Sequence, residues 1–81
     1  MRVLVTTMGP LRRIVAIDDE VVEVANGATV AEAVEALVAR HAGLAPHRNS
    51  ILAAIDEEWS AMDATLTPNA RLILMPPVSG G

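Results

Sequence analysis

Few residues of this chain are equipped for chemistry, and most of those that are have a plainer explanation. There is no cysteine, so the chain can form no disulfide, thiolate metal site or persulfide. His41 and His47 are not spaced i, i+4, and no clear third ligand sits beside them, so no metal site is expected. A partly buried histidine at a helix end, where it favours the helix dipole, and a second one in a loop are the expected arrangement. Asp18-Asp19-Glu20 and Asp56-Glu57-Glu58 are acidic clusters, but acid–base catalysis needs a cleft that so small a domain rarely has. Each reads as a solvated turn, and Arg12-Arg13 and Arg71 read as exposed, solubilising cations. What remains is the end of the chain, Pro76-Pro77-Val78-Ser79-Gly80-Gly81. An α-carboxylate with a pKa near about 3.5 is an anion at neutral pH and a poor electrophile. Glycine has no Cβ, so Gly80-Gly81 permits the close backbone approach that a narrow channel demands. Pro76-Pro77 stiffens the root of this tail and lowers the entropy lost on insertion.

Positioning such a tail requires a small, stable platform. The chain has 81 residues, enough for one domain, and 52% of them are hydrophobic. Nearly all of these are Val, Leu, Ile, Ala and Met. Trp59 is the only aromatic residue, which suits helix-on-sheet packing and removes the stacking platforms that nucleic-acid binding uses. A net charge of −4 also disfavours a phosphate backbone. No charged leader precedes an apolar stretch, and no apolar run approaches the roughly 20 residues of a membrane span, so a cytoplasmic location is expected. All six basic residues are arginine. With no lysine, the chain offers no side-chain amine to which a second copy could be joined.

The apolar pattern then gives the elements. Val3-Leu4-Val5 opens a strand over Met1 to Thr6, closed by Gly9-Pro10. Leu11 to Ile17 fits either a strand or one turn of helix. After the polar break at Asp18-Asp19-Glu20, Val21 to Val24 is a second strand, and Asn26-Gly27 is a turn. Thr29-Val30-Ala31-Glu32 has the form of a capping box. Val30, Ala33, Val34, Leu37, Val38 and His41 follow at helical spacing, predicting a helix over Thr29 to Ala42 that Gly43 and Pro46 end. A polar loop through His47-Arg48-Asn49 leads to a strand at Ile51 to Ile55. Trp59 to Met62 fits a short edge strand, and Arg71 to Met75 the last strand before Pro76-Pro77 ends the sheet. One helix covers only one face of a sheet, so the expected architecture is two-layer α+β with the other face solvated or meeting a partner. Trp59 is either an edge of the core or an exposed partner anchor, and the uncovered face favours the anchor. Met75 is the second expected partner contact, because it stands where strand gives way to tail.

The order of these elements, the stretch Ile51-Leu52-Ala53-Ala54-Ile55, the later Leu66-Thr67, and above all Leu74-Met75-Pro76-Pro77-Val78-Ser79-Gly80-Gly81 resemble the MoaD/ThiS family of ubiquitin-like sulfur carriers. Within that family the same residues resemble the small subunit of molybdopterin synthase. Met75 departs from the family, which usually has an aromatic residue before the two prolines. Asp56-Glu57-Glu58 replaces its usual asparagine-containing turn, and Pro68-Asn69-Ala70 a common acidic-glycine turn.

The resemblance implies a β-grasp fold over residues 1–75, with a mixed sheet of four to five strands and one main helix on one face. It implies an extended, mobile tail over 76–81. It also implies a carrier that is a protein cosubstrate, with catalysis residing in its partners. An adenylyltransferase of the ubiquitin-activating type would transfer AMP from ATP to Gly81, and a sulfur donor would displace it to leave a thiocarboxylate. No cofactor would stay bound. The acceptor would be an enzyme such as the large subunit of molybdopterin synthase, with Pro76, Pro77, Val78, Ser79 and Gly80 threading into each partner. A carrier for thiamine, cysteine or a secondary metabolite, a modifier joined to lysines of other proteins, and a plain interaction domain are the alternatives. No nucleic-acid or membrane partner is expected.

Overall fold

Five short apolar segments and one amphipathic helix settle how this chain buries its surface. In a computed structural model, which describes residues 1–16 and 18–77, they form one mixed sheet with the helix on one face. The strands are β1 (Arg2–Thr7), β2 (Glu20–Glu23), β3 (Leu52–Ile55), β4 (Glu58–Ser60) and β5 (Arg71–Met75). Their spatial order is β2-β1-β5-β3-β4. Only β1 and β5 run parallel, and every other neighbouring pair is antiparallel. Parallel neighbours need a crossover connection, and between β1 and β5 that connection includes the helix α1 (Val30–Arg40).

The helix begins where the capping box predicts. Thr29 is the N-cap: its hydroxyl accepts the Glu32 N–H, and its own N–H donates to Glu32 Oε1 at 3.1 Å. Such a cap stabilises a helix by about 1 kcal/mol. Val30, Ala33, Val34, Leu37 and Val38 are buried, so the face chosen by spacing is the one that packs on the sheet. The helix ends at Arg40, two residues before the predicted Ala42, and the chain continues into a 3-10 helix at Ala42–His47. Sequence marks that segment only by its helix stops, Gly43 and Pro46, yet Leu44 within it is fully buried.

Inward-facing residues alternate along each strand. Val3, Val5 and Thr7 of β1, Val22 of β2, Ala53 of β3, and Leu72 and Leu74 of β5 form the floor of the core. For Leu11 to Ile17 the helical alternative holds in part, as a 3-10 and not an α-helical turn, and Ile17 lies outside the described residues. A 3-10 helix at Gly9–Arg13 buries Leu11, and the chain then buries Val15, whose carbonyl accepts the Thr7 hydroxyl at 2.9 Å. The loop after β4 closes the far end of the core: the carbonyls of Met62 and Ala64 accept the first helical N–H groups, of Ala31 and Val30.

Two readings of the acidic clusters need correction. Asp18 and Asp19 lie in an exposed turn, but Glu20 is the first residue of β2, is buried and faces the helix. Its carboxylate accepts from His41 Nε2 at 2.8 Å and from Arg40 at 3.2 Å. Arg40 also donates to the Val21 carbonyl at 2.8 Å. A carboxylate can be buried at such a site because its partners replace water. The second cluster divides: Asp56-Glu57 is the hairpin turn and Glu58 already belongs to β4.

Candidate functional site

The parallel pairing of β1 with β5 brings the ends of both strands to one end of the sheet, and the tail leaves from there. Thr7 pairs with Leu74, and the Met8 N–H donates to the Leu74 carbonyl at 2.9 Å. Gly9 follows with φ +58°, a backbone conformation that favours glycine. The Pro76 ring lies over it: a Cβ on Gly9 would meet Pro76 Cγ at 3.4 Å and Cδ at 3.5 Å, ordinary contact distances. The left-handed backbone, more than the space, therefore calls for glycine here. Pro76 is half-buried and Pro77 exposed. The root of the tail thus has a fixed direction of departure. Val78, Ser79, Gly80 and Gly81 lie outside the described residues.

Beside that root runs the sheet face opposite the helix. Register places Thr6, Ile73, Ala54 and Trp59 in one row across four strands, and Met75 beside Leu52 in the next. Leu4 pairs with Val21 on the same face. No described element covers this face, and four large apolar side chains on it or at its rim are exposed: Met8 at 46%, Val21 at 40%, Leu52 at 38% and Trp59 at 68%. A small domain exposes apolar side chains singly as a matter of course, whereas several on one sheet face suit a binding surface. Trp59 is therefore no core residue. Trp59 and Met75, chosen separately from sequence, share one face, whereas Met8 and Leu52 were missed. Period-2 alternation places Leu52 on that face once the strand is known to start there. Met8 carries no such signal, since only the parallel pairing brings it to the tail.

The hairpin that presents Trp59 is strained. Ile55 pairs with Glu58 across a two-residue turn in which Asp56 has φ +48° and Glu57 φ +76°. Turns of this shape favour Asn-Gly or Asp-Gly, because both central residues are left-handed. Asp56 is anchored to β5, its N–H donating to the Arg71 carbonyl at 3.0 Å and its Oδ1 accepting the Arg71 N–H at 3.1 Å. Behind the turn, Asp56, Glu58, Trp59, Thr65 and Thr67 border an open hollow of about 500 Å³.

Two of the arginines singled out in sequence, Arg12 and Arg71, are occupied elsewhere. Arg12 makes a two-pronged pair with Asp18 at 2.7 and 2.9 Å, and this hydrogen bond and charge hold its guanidinium above its ordinary pKa. Arg71 reaches Asp19 at 3.4 Å. His41 is bound to Glu20, and among the described residues no group of three His, Cys, Asp or Glu could hold a metal ion. No described helix is long and apolar enough to cross a membrane.

Against this geometry the comparisons are direct. The family model described as the ThiS family matches residues 5–81. The chain belongs to the ThiS family. SAMP1 from Haloferax volcanii superposes with a TM-score of 0.85 at 26% identity, covering 100% of both chains. A Pyrococcus furiosus protein described as molybdopterin converting factor, subunit 1, gives a TM-score of 0.83 at 21% identity over 95% of this chain and 98% of its own. The Amycolatopsis orientalis BexX/CysO complex contributes a chain with a TM-score of 0.69 at 28% identity, covering 98% of this chain and 99% of that one. No curated protein sequence matches the chain. As a ThiS-family member with these neighbours, the chain has the ubiquitin-like β-grasp fold of the small sulfur carriers. Carriers of this family work with activating enzymes and acceptor enzymes.

Proposed function

We propose that the protein carries sulfur as a thiocarboxylate on Gly81 and delivers it as the small subunit of a molybdopterin synthase. The observation that carries the reading is the family match running through residue 81, onto a tail whose root is pinned beside an uncovered apolar face. The carboxylate of Gly81 attacks the α-phosphorus of ATP in the active site of an adenylyltransferase, releasing pyrophosphate and forming an acyl-adenylate. Sulfur from a donor then attacks the acyl carbon and AMP leaves. If the donor is a cysteine persulfide, its outer sulfur becomes part of an acyl disulfide, and a thiol then cleaves the S–S bond, leaving the thiocarboxylate on Gly81 and a disulfide on the donor side. Neither step uses a side chain of the carrier, and its chain has no cysteine to compete for the sulfur. Its own contribution is recognition and reach: Met75 and Trp59 contact the partner while Pro76, Pro77, Val78, Ser79 and Gly80 thread the channel. Stiff prolines at the root reduce the entropy lost on threading.

The pathway is tested by supplying the thiocarboxylated protein to a molybdopterin synthase large subunit with its cyclic pyranopterin substrate. Formation of the dithiolene with return of the Gly81 carboxylate is the expected result. Sulfur transfer only to an acceptor of thiamine, cysteine or secondary metabolism would move the protein to a sibling pathway. A second reading, a modifier joined through Gly81 to lysines of other proteins, is favoured by the likeness to SAMP1, whose name in a second structure is small archaeal modifier protein 1. Isopeptide-linked adducts found by peptide mapping would support it.

A further inference from the structure

The first turn of the chain and the first residue of the tail are packed on each other, although they lie near opposite ends of the sequence. The turn itself is held from three sides. Its Met8 N–H extends the parallel ladder by donating to the Leu74 carbonyl at 2.9 Å. Thr7 before it is buried and donates its hydroxyl to the Val15 carbonyl at 2.9 Å, and Leu11 after it is fully buried. Between these anchors Gly9 takes φ +58°, and the Pro76 ring is the group that a Cβ there would meet. Pro76 is thus seated on a backbone conformation that few residues can hold.

We infer that Gly9 is a positioning residue for the tail. Through the Pro76 ring it sets the direction in which the tail leaves the sheet, and so where the Gly81 carboxylate arrives in the activating enzyme. Proline holds φ near −65°, so Pro76 and Pro77 pass on a direction that a freely turning bond would lose. An extended tail spans about 16 Å from Pro76 to Gly81, so a tilt of about 20° at its root displaces the end by about 6 Å. Misplacing a reacting group by about 1 Å can cost about a hundredfold in rate. The sheet face docks the carrier and the root aims the carboxylate. The two therefore act on different constants, docking on KM and aim on kcat.

This inference rests on the sulfur-carrier reading, and the test separates the two. Thiocarboxylation by the adenylyltransferase, with ATP and a sulfur donor, is followed by intact mass over a range of carrier concentrations, which gives kcat and KM for the carrier. Circular dichroism confirms that each variant is folded at the assay temperature. Gly9→Val puts a β-branched residue at a positive φ, which it scarcely adopts. It should lower kcat about tenfold or more while changing KM less than about threefold. Gly9→Asn should keep kcat within about threefold of wild type, because asparagine tolerates the left-handed region and the chain already holds Asn69 at φ +64°. Leu37→Ala, in the core on the helix, is the folding control and should leave kcat of the folded protein unchanged. Pro76→Ala removes the ring that Gly9 seats and should itself lower kcat about threefold or more. Combined with Gly9→Val it should cost less than the product of the two single losses, since both act through one contact. Unchanged kcat in folded Gly9→Val, a loss confined to KM, an equal loss in Gly9→Asn, or losses that multiply in the double variant would overturn the inference. Should Gly9→Val prove unfolded, unchanged kcat in Pro76→Ala would overturn it alone. Failure of the wild-type protein to become thiocarboxylated would instead overturn the carrier reading.

Discussion

The two faces of the sheet are made from alternate residues of the same strands, yet they obey different rules. On the inner face Val3, Val5, Leu72 and Leu74 are fully buried under the helix, and the two polar residues among them, Thr7 and Glu20, have their hydrogen-bond partners within the fold. On the outer face Ile73 and Ala54 share a row with the exposed Trp59, and Met75 pairs with Leu52 in the next; an acidic, left-handed turn closes that hairpin. The inner face holds the fold together, whereas the outer face keeps apolar surface in water that folding alone does not require. In so small a protein the outer surface is kept for binding.

That contrast can be broken by substitution. Leu37→Ala removes a fully buried side chain from the helix and should lower unfolding free energy by about 2–5 kcal/mol in chemical denaturation. The folded fraction should bind the activating enzyme as well as wild type does. Glu20→Ala leaves Arg40 and His41 without their carboxylate, but both retain access to water, so the expected loss is smaller, about 1–2 kcal/mol. Glu57→Gly should act in the opposite sense. It relieves a left-handed non-glycine residue and should raise stability by about 1 kcal/mol in chemical denaturation. A loss of stability would show that the left-handed backbone at Glu57 carries no strain. Trp59→Ala should have the smallest effect on stability, within about 0.5 kcal/mol, because the ring is mostly in solvent. A large destabilisation by Trp59→Ala would place the residue with the core and erase the distinction between faces.

Much of the inner face was legible in the sequence because it rests on local rules. Thr29 and Glu32 announce the helix start, and the spacing of Val30, Val34, Leu37 and Val38 names its buried side. Pro76-Pro77 marks the end of the last strand. What the sequence concealed depends on contacts between distant segments. Glu20 reads as part of a solvated turn until the helix end brings Arg40 and His41 to it. Leu11 and Val15 carry no period, because a 3-10 helix and an irregular segment bury them one at a time. Met8 joins the site only through parallel pairing of the first and last strands. The tail was legible in a different way, as a motif whose meaning came from the family it resembles.

The central claim is that Gly81 carries the sulfur. The direct measurement compares wild type with a form lacking Gly81, each incubated with the adenylyltransferase, ATP and a sulfur donor. Circular dichroism and denaturation should show both folded alike, since Gly81 lies six residues past the end of β5 at Met75. Intact mass should show oxygen replaced by sulfur at the terminus of the wild-type protein alone, because the shortened carboxylate no longer reaches the adenylating centre. Equal sulfuration of the folded, shortened protein would contradict the account.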